Sequence, residues 1–197
     1  MGVKERREIE KQVRRNQILD AASVTLRRPR VELLEDLGTY LVSHPSTIAL
    51  RRLLRFGGVT FIDDYAHLPN EIAAVLSGAR DETDKWSRVV AVFQPNRFNR
   101  MSVISHLYAD AFVAADLVVV TDIYPSGTQP IAGVTGQLVV DAILKSHPEC
   151  EVVYQPLRAN LVEFLADELK TGDLCISMGC GDIATLPQEV IAQRRGK

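Results

Sequence analysis

Four short stretches of the sequence concentrate the side chains that could bind a ligand or take part in catalysis. DDYAHLPNE (63–71) offers two adjacent carboxylates, and FQPNRFNR (93–100) offers two arginines three positions apart. DIYPSGTQPIAGV (122–134) is a long Pro- and Gly-containing segment, and GCGDI (179–183) is a glycine-rich turn. Adjacent carboxylates can hold a ribose hydroxyl or complete an Mg²⁺ shell, whereas guanidinium groups bind carboxylates and phosphates.

Each stretch also has a purely structural interpretation. Asp64 could close a turn while His67 packs on a sheet, and Arg97 and Arg100 could pair with surface acids. The segment 122–134 could be an insertion without a role. The glycine-rich turn matches in form the pattern G-x-G-x-x-A, which is typical of dinucleotide-binding sites. No acidic residue on a following strand could hold a ribose, which favours a tight turn that lets the backbone approach a neighbour or an anion.

The elements that must position these stretches alternate regularly after Gly58. Short apolar runs alternate with helical stretches, which predicts a parallel sheet covered by helices. The predicted strands are Val59–Ile62, Arg88–Phe93, Leu117–Thr121, Glu151–Tyr154 and Leu174–Met178. The predicted helices are Asn70–Ala79, Ser102–Ala115, Gly136–Ser146, Arg158–Lys170 and Asp182–Arg194. Ligands of such sheets bind beyond the C-terminal ends of the strands, where the four stretches lie.

The N-terminal part of the chain has a different character. The first 30 residues have nine basic and four acidic side chains and so a formal charge of +5. Because the whole chain has a net charge of -2, the remaining residues carry -7. In this N-terminal part, the spacing of apolar residues and the positions of proline and glycine predict three helices, at Lys4–Leu26, Val31–Val42 and Pro45–Phe56. The sequence therefore predicts a helical extension over 1–56, followed by an α/β domain over 57–197 with a Rossmann-like, mostly parallel sheet and helices on both faces.

Composition narrows the function classes. The 197 residues are 46% hydrophobic and 24% charged, as in ordinary globular proteins, and a net charge of -2 excludes a globally basic nucleic-acid binder. No apolar run approaches the ~20 residues of a membrane span. The charged N-terminus does not resemble a secretory signal, and three cysteines are an odd number. We therefore expect reduced thiols and a cytoplasmic protein.

Together, in this order and on these predicted strand ends, the four stretches resemble the C-terminal domain of the Mur ligases, in particular of the members that add L-alanine. That family carries a DDYAHHPTE-like motif, FQPHRYTR, a DIYPAREKPIPGV-like loop and a GAGDI turn. The resemblance covers about residues 57–195. It implies a bacterial ligase of peptidoglycan synthesis that joins L-alanine to UDP-N-acetylmuramate. The reaction uses ATP and Mg²⁺ and passes through an acyl phosphate.

The resemblance also implies roles for individual residues. Asp64 is expected to contact the nucleotide ribose, and Tyr65 and His67 are expected to contact the amino acid. Arg97 and Arg100 are expected to clamp the carboxylate or the acyl phosphate, which suits a planar guanidinium. The resemblance assigns no catalytic residue and no metal ligand.

Five positions depart from the family's motifs. Leu68 and Asn70 stand where the first motif has His and Thr, and Asn96 and Phe98 stand where the second has His and Tyr. Thr128 stands where the loop is expected to carry an acid. These replacements remove hydrogen-bonding and titratable groups from the predicted site.

The chain lacks a P-loop, because no G-x-x-x-x-G-K-[ST] occurs in it. We therefore expect no tight ATP binding and no ligase turnover from this chain alone, and we expect it to work beside a chain that carries the missing domains. One alternative is a non-catalytic module that binds a nucleotide or a small carboxylate. A second alternative is a DNA-linked regulator, since Lys4–Ala22 resembles the first helix of TetR-type repressors, but a nucleic-acid or membrane partner is not expected.

Overall fold

The computed structural model describes residues 50–81 and 86–196. The helices predicted over Lys4–Leu26 and Val31–Val42 lie outside this part of the chain. Within it, no helix combines the length and the apolar character that crossing a bilayer would require.

The described residues build one six-stranded sheet flanked by helices. The strands are β1 (Leu50–Phe56), β2 (Val59–Asp64), β3 (Arg88–Phe93), β4 (Leu117–Val120), β5 (Val152–Tyr154) and β6 (Asp173–Met178), in the spatial order β1-β2-β6-β3-β4-β5. All neighbouring strands are parallel except β1, which is antiparallel to β2. The helices are α1 (Pro69–Asp81), α2 (Phe98–Ile104), α3 (Gln137–Ser146), α4 (Arg158–Glu168) and α5 (Leu186–Arg195).

The central strands are buried on both faces. Along β3, Val89, Ala91 and Phe93 pack in a cluster with α1, α2 and α3, whereas Val90 and Val92 pack in a second cluster with α4 and α5. The exposed fraction of each of these five side chains is at most 1%. Continuous apolar strands are what a parallel sheet between two helical layers requires. The predicted fold class, mostly parallel with helices on both faces, is confirmed.

The third helix predicted for the N-terminal extension is wrong over its described part, Leu50–Phe56, which forms β1. Gly57 and Gly58 adopt positive φ values of 58° and 76° and form a two-residue turn into β2. Two glycines with positive φ are typical of a tight hairpin turn. Leu53 and Leu54 are both buried but join different core clusters, which is the alternation of a strand.

The helix predicted over Ser102–Ala115 is wrong in its extent. α2 begins four residues earlier, at Phe98, and ends at Ile104, after which the chain forms a 3₁₀ turn over Ser105–Tyr108. Tyr108 and Phe112 are both fully buried and contact the ring of Phe93. Packing of these aromatic rings, rather than helical periodicity, therefore sets the path of the segment.

A partly buried ion pair joins the first residues of β3 and β6. The Arg88 guanidinium donates to both carboxylate oxygens of Asp173, at 3.2 and 2.8 Å, and to Glu168 at 2.8 Å. The Asp173 side chain is 1% exposed. These bonds raise the pKa of Arg88 above its ordinary value, with the Asp173 hydrogen bond as the main cause. The pair fixes the start of two neighbouring strands.

Replacing Arg88 with Met should lower the free energy of unfolding by about 3 kcal/mol, because Asp173 stays buried without its cation. Urea denaturation measures this change. Lys145→Met, at an exposed site in the last turn of α3, is the control and should change stability by less than about 0.5 kcal/mol. An equal effect of both variants would contradict the importance of the Arg88–Asp173 pair.

His147 links two segments at the opposite end of the sheet from the four stretches. Its Nε2 lies 2.8 Å from Asp110 Oδ1, and its Nδ1 lies 3.5 Å from Glu149 Oε1. The hydrogen bond with Asp110 is the main cause that raises the pKa of His147, and Glu149 adds to it. The protonated imidazolium is therefore favoured in the folded state.

This raised pKa predicts a pH-dependent contribution to stability. The contribution is fully present below the pKa of unfolded histidine, about 6.5, and is lost as the pH rises through the higher folded pKa. The loss of unfolding free energy in His147→Gln should therefore be larger at pH 5.5 than at pH 8.5. In an Asp110→Asn background, the loss caused by His147→Gln should differ less between the two pH values. A loss caused by His147→Gln that is the same at both pH values would contradict the assignment of the raised pKa to His147.

Candidate functional site

The loops that follow β2, β3, β4 and β6 meet at one edge of the sheet, the carboxyl edge, as the sequence predicts. Backbone hydrogen bonds join these loops at their roots. The Gly179 N–H donates to the Asp64 carbonyl at 3.3 Å, and the Gln94 N–H donates to the Met178 carbonyl at 3.0 Å. The loop after β6 is therefore held between the loops after β2 and β3.

The adjacent carboxylates at the end of β2 are both buried, with 1% of each residue exposed. Asp64 Oδ1 accepts the Ala66 N–H at 2.8 Å, which closes a turn directly after the strand. Asp63 Oδ1 accepts the Ser177 hydroxyl at 3.4 Å, across to β6. Asp64 thus has a structural role, and its contact with a nucleotide ribose stays a prediction.

Tyr65 and His67 form an aromatic pair beside this turn. Their ring centroids are 5.3 Å apart with the planes at 75°, and Tyr65 is 43% exposed. His67 Nδ1 lies 3.1 Å from the Tyr65 carbonyl and 3.4 Å from Glu71 Oε2. Both neighbours are acceptors, so the tautomer with its proton on Nδ1 satisfies them, and in that tautomer Nε2 is an acceptor.

Two buried or half-buried side chains hold the His67 backbone in place. Glu71 Oε2 accepts the N–H groups of His67 and Leu68, at 3.0 and 3.1 Å, and so caps the start of α1. The Tyr108 hydroxyl donates to the His67 carbonyl at 2.7 Å. Burial raises the pKa of Tyr108 to about 12, so this hydroxyl stays a donor at neutral pH.

The two predicted arginines lie at the start of α2. Arg97 is exposed, has a φ of 66°, and donates its backbone N–H to the Tyr124 carbonyl at 2.9 Å. A non-glycine residue in this left-handed region stores strain and often lies at a functional site. Arg100 is half-buried, and its positive charge lowers the pKa of the Tyr108 hydroxyl, against the larger rise that burial causes. Its Nη1 atom is buried without a hydrogen-bond partner among the described residues.

Gln94 and Asn96 are buried polar residues that the assigned roles leave out, with 8% and 3% exposed. The Gln94 amide donates to Asp182 Oδ1 at 2.6 Å, and its Oε1 accepts the Ile183 N–H at 3.3 Å. Asn96 Nδ2 is buried and has no hydrogen-bond partner in the described part of the chain. Only the sequence Gln94-Pro95, unusual between a strand and a helix, signals a role for Gln94.

The glycine-rich turn packs tightly against its neighbours. Gly179 has a φ of 147°. A Cβ atom on Gly181 would clash with Gln94 Oε1 and would lie 2.5 Å from Cγ of Tyr124. The structure confirms the interpretation that the turn lets the backbone approach a neighbour, which is the Gln94–Tyr124 pair.

The long loop after β4 is tied to both helices that it approaches. Asp122 Oδ1 accepts the N–H groups of Ile123 and Gly136, at 2.8 and 3.1 Å, directly before α3. Thr128 Oγ1 accepts the Phe98 N–H at 3.0 Å, at the first residue of α2. A threonine hydroxyl therefore satisfies the helix terminus at the position where the family motif predicts an acid.

The thiols and acidic groups do not form a metal centre in the described residues. Across 50–81 and 86–196, no three or more His, Cys, Asp or Glu side chains are arranged to hold a metal ion. Cys180 is half-buried in the glycine-rich turn, whereas Cys175 lies buried inside β6. Burial raises the pKa of Cys175 to about 12, so it is a protonated packing residue.

Comparison with known proteins decides the family. The protein-family model described as "Mur ligase, glutamate ligase domain" matches residues 51–181, which is most of the chain. The chain belongs to the Mur ligase family. The matched range begins within β1 and ends in the glycine-rich turn. This confirms the resemblance inferred from the four stretches.

Relatives of this Mur ligase domain are full-length enzymes that it matches over their C-terminal part. It is 42% identical over 134 residues to the UDP-N-acetylmuramate–L-alanine ligase of Nostoc punctiforme, covering 68% of this chain and 27% of that protein. It is 38% identical over 164 residues to the corresponding ligase of Cutibacterium acnes, covering 83% of this chain and 34% of that protein. The chain therefore spans about a third or less of these relatives.

Solved structures support the fold of the Mur ligase domain. The UDP-N-acetylmuramate–alanine ligase of Thermotoga maritima superposes with a TM-score of 0.56 at 24% identity, over 85% of this chain and 36% of that chain. A murein peptide ligase from Psychrobacter arcticus superposes with a TM-score of 0.58 at 19% identity, over 72% and 28%. The sheet and helices described above are thus those of Mur ligase domains.

Replacing Gly181 with Ala should lower the free energy of unfolding by about 2 kcal/mol, because the new methyl group overlaps Gln94 and Tyr124. Urea denaturation measures the loss. Gly196→Ala is the matched control, since its nearest neighbour to the new methyl group is 3.7 Å away. A Gly181→Ala variant as stable as the wild type would show that the turn is not tightly packed.

Proposed function

We propose that this chain acts as the C-terminal domain of an enzyme that joins L-alanine to UDP-N-acetylmuramate at the expense of ATP. The observation that carries the proposal is the buried Nη1 of Arg100, which has no hydrogen-bond partner within 50–81 and 86–196, in a chain of the Mur ligase family. A buried cationic donor without an acceptor is unfavourable. The carboxylate of an amino acid would supply the missing acceptor.

In this proposal, Arg97 and Arg100 bind the carboxylate of L-alanine or the acyl phosphate. Tyr65 and His67 contact the amino acid from the loop after β2. Because His67 Nδ1 faces two acceptors, its Nε2 can accept a hydrogen bond from the amino group of alanine. In the proposed step the amine attacks the acyl carbon, the C–O bond to phosphate breaks with its electron pair leaving on phosphate, and the proton lost by the amine passes to His67 Nε2.

ATP and Mg²⁺ are needed in the proposed reaction to form the acyl phosphate. Asp64 is the residue of this chain that we assign to the nucleotide ribose. The sequence contains no P-loop, and the described residues offer no three-ligand metal site. We therefore propose that most contacts to Mg-ATP come from domains other than the one described here.

Three apolar side chains at the carboxyl edge are exposed and available for contact with such domains. Tyr65, Ile131 and Leu157 are 43%, 42% and 62% exposed, on the loops after β2, β4 and β5. β4 and β5 are neighbouring strands, whereas β6 and β3 separate them from β2, so the three side chains are spread along the edge. The chain's short coverage of its relatives equally favours the second candidate, a module that binds a nucleotide or a carboxylate without catalysis.

The test is complementation in vitro. The full chain is mixed with a copy of the Nostoc relative that lacks its own C-terminal domain, and ADP release is measured with L-alanine and UDP-N-acetylmuramate. We expect alanine-dependent release from the mixture and none from either protein alone. Arg100→Gln should reduce the rate at least about ten-fold, because a charge-assisted hydrogen bond to substrate is lost.

Arg80→Gln is the matched control, since Arg80 is a partly exposed arginine in an ion pair at the opposite end of the sheet. Its rate in the mixture should equal that of the wild type. Titration calorimetry of the chain with L-alanine and with Mg-ATP separates the candidates. Binding without any release in the mixture would support the non-catalytic module, and neither binding nor release would contradict both functions.

A further inference from the structure

A bidentate ion pair joins the starts of α4 and α5 behind the glycine-rich turn. Arg158, the first residue of α4, donates through Nε to Glu189 Oε2 and through Nη2 to Glu189 Oε1, each at 2.9 Å. Both side chains are partly buried, with 31% and 40% exposed. Paired donors and acceptors in this planar arrangement fix the orientation of the guanidinium as well as its position.

The same guanidinium also reaches the turn that follows β6. Its Nη2 donates to Thr185 Oγ1 at 2.9 Å and to the Asp182 carbonyl at 3.3 Å. Thr185 Oγ1 lies 2.6 Å from Glu189 Oε1, which closes the set. These four residues, Arg158, Asp182, Thr185 and Glu189, form the Arg158 cluster.

The Arg158 cluster connects directly to the predicted site. The Asp182 carboxylate accepts the Gln94 amide at 2.6 Å, and Gln94 Oε1 accepts the Ile183 N–H at 3.3 Å. Gln94 begins the segment that continues to Arg97 and Arg100. The turn is therefore held by Arg158 from the start of α4 and by Gln94 from the loop after β3.

The turn needs such external support because of its composition. Two of its residues, Gly179 and Gly181, have no side chain with which to hold a conformation, and glycine loses the most backbone freedom on folding. Hydrogen bonds from Arg158 and Thr185 lower the pKa of Glu189, with Arg158 as the main cause, so the ion pair is formed at neutral pH. The cluster is thus present under the conditions in which the site would work.

We propose that Arg158 is a positioning residue of the carboxyl edge: by holding Asp182 it fixes the glycine-rich turn and Gln94, and through them the segment that carries Arg97 and Arg100. The part of this inference that concerns ligand affinity rests on the proposed function. The part that concerns the order of the turn does not.

Cys180 provides a readout of the order of the turn, since its half-buried thiol lies between Gly179 and Gly181. In the full chain, Arg158→Gln should raise the alkylation rate of Cys180 by iodoacetamide about ten-fold, because the opening of the turn no longer breaks charge-assisted hydrogen bonds. Cys150, half-buried at the opposite end of the sheet, is the internal reference and should react at an unchanged rate. Mass spectrometry of the peptides distinguishes the two thiols.

Two further variants separate positioning from general stability. Arg80→Gln removes an ion pair and a backbone contact far from the turn, so it should lower stability without changing the alkylation of Cys180. Arg158→Lys keeps the charge beside Glu189 but cannot bind both of its oxygens and the turn at once, so it should restore part of the protection. Equal protection of Cys180 in the wild type and Arg158→Gln overturns the proposal.

Affinity for L-alanine, measured in the complementing mixture by titration calorimetry, tests the effect on the site. We expect Arg158→Gln to weaken it several-fold and Arg80→Gln to leave it unchanged. Faster alkylation with unchanged affinity overturns the proposal, because the turn would then not set the site. If the wild type binds no alanine, the proposed function fails, and the alkylation rates alone decide whether Arg158 holds the turn.

Discussion

The pairing of β6 between β2 and β3 is the constraint on which the rest of the carboxyl edge depends. Parallel strands end together, so their last residues bring backbone groups to one edge, where loops must satisfy them. The Gly179 and Gln94 N–H groups meet this demand by donating to the ends of the neighbouring strands. The loops that carry the candidate binding residues are therefore fixed at their roots by the sheet itself.

Beyond the sheet, His67, the start of α2 and the glycine-rich turn depend on polar side chains that do not themselves face a ligand in the proposed function. Glu71 and Tyr108 hold the His67 backbone, Thr128 holds the start of α2, and Gln94 holds the glycine-rich turn. Such outer contacts hold the residues of a site in one arrangement before a ligand binds. Three buried donors have no partner in the described residues: those on Asn96 and Arg100 lie at this edge, and the third, on Arg194, lies in α5.

The sequence predicts local elements well where the pattern is local. Arg88–Phe93 was expected and found as a strand, because a continuous β-branched run leaves little alternative. Leu50–Phe56 was misassigned because its leucines fit a helix, and only the hairpin turn with β2 settles its state. The contact between Gln94 and Asp182 joins residues 88 positions apart, so no spacing rule could predict it. The polar residues at predicted strand ends were enough to predict where the site lies. Which polar groups support the site depends on tertiary packing, which the sequence pattern does not show.

The direction of β1 has a consequence for how the domain would be tethered. Because β1 runs antiparallel to β2, Leu50 pairs with Asp64, and the chain enters the sheet at the carboxyl edge. Any polypeptide joined to β1 is thereby anchored within a few residues of the candidate site. The effective concentration of an attached domain is set by its linker and is about millimolar for a short flexible one, so even weak contacts between the two surfaces would then hold them together. A partner supplied as a separate chain would lack this advantage and would need an interface of its own.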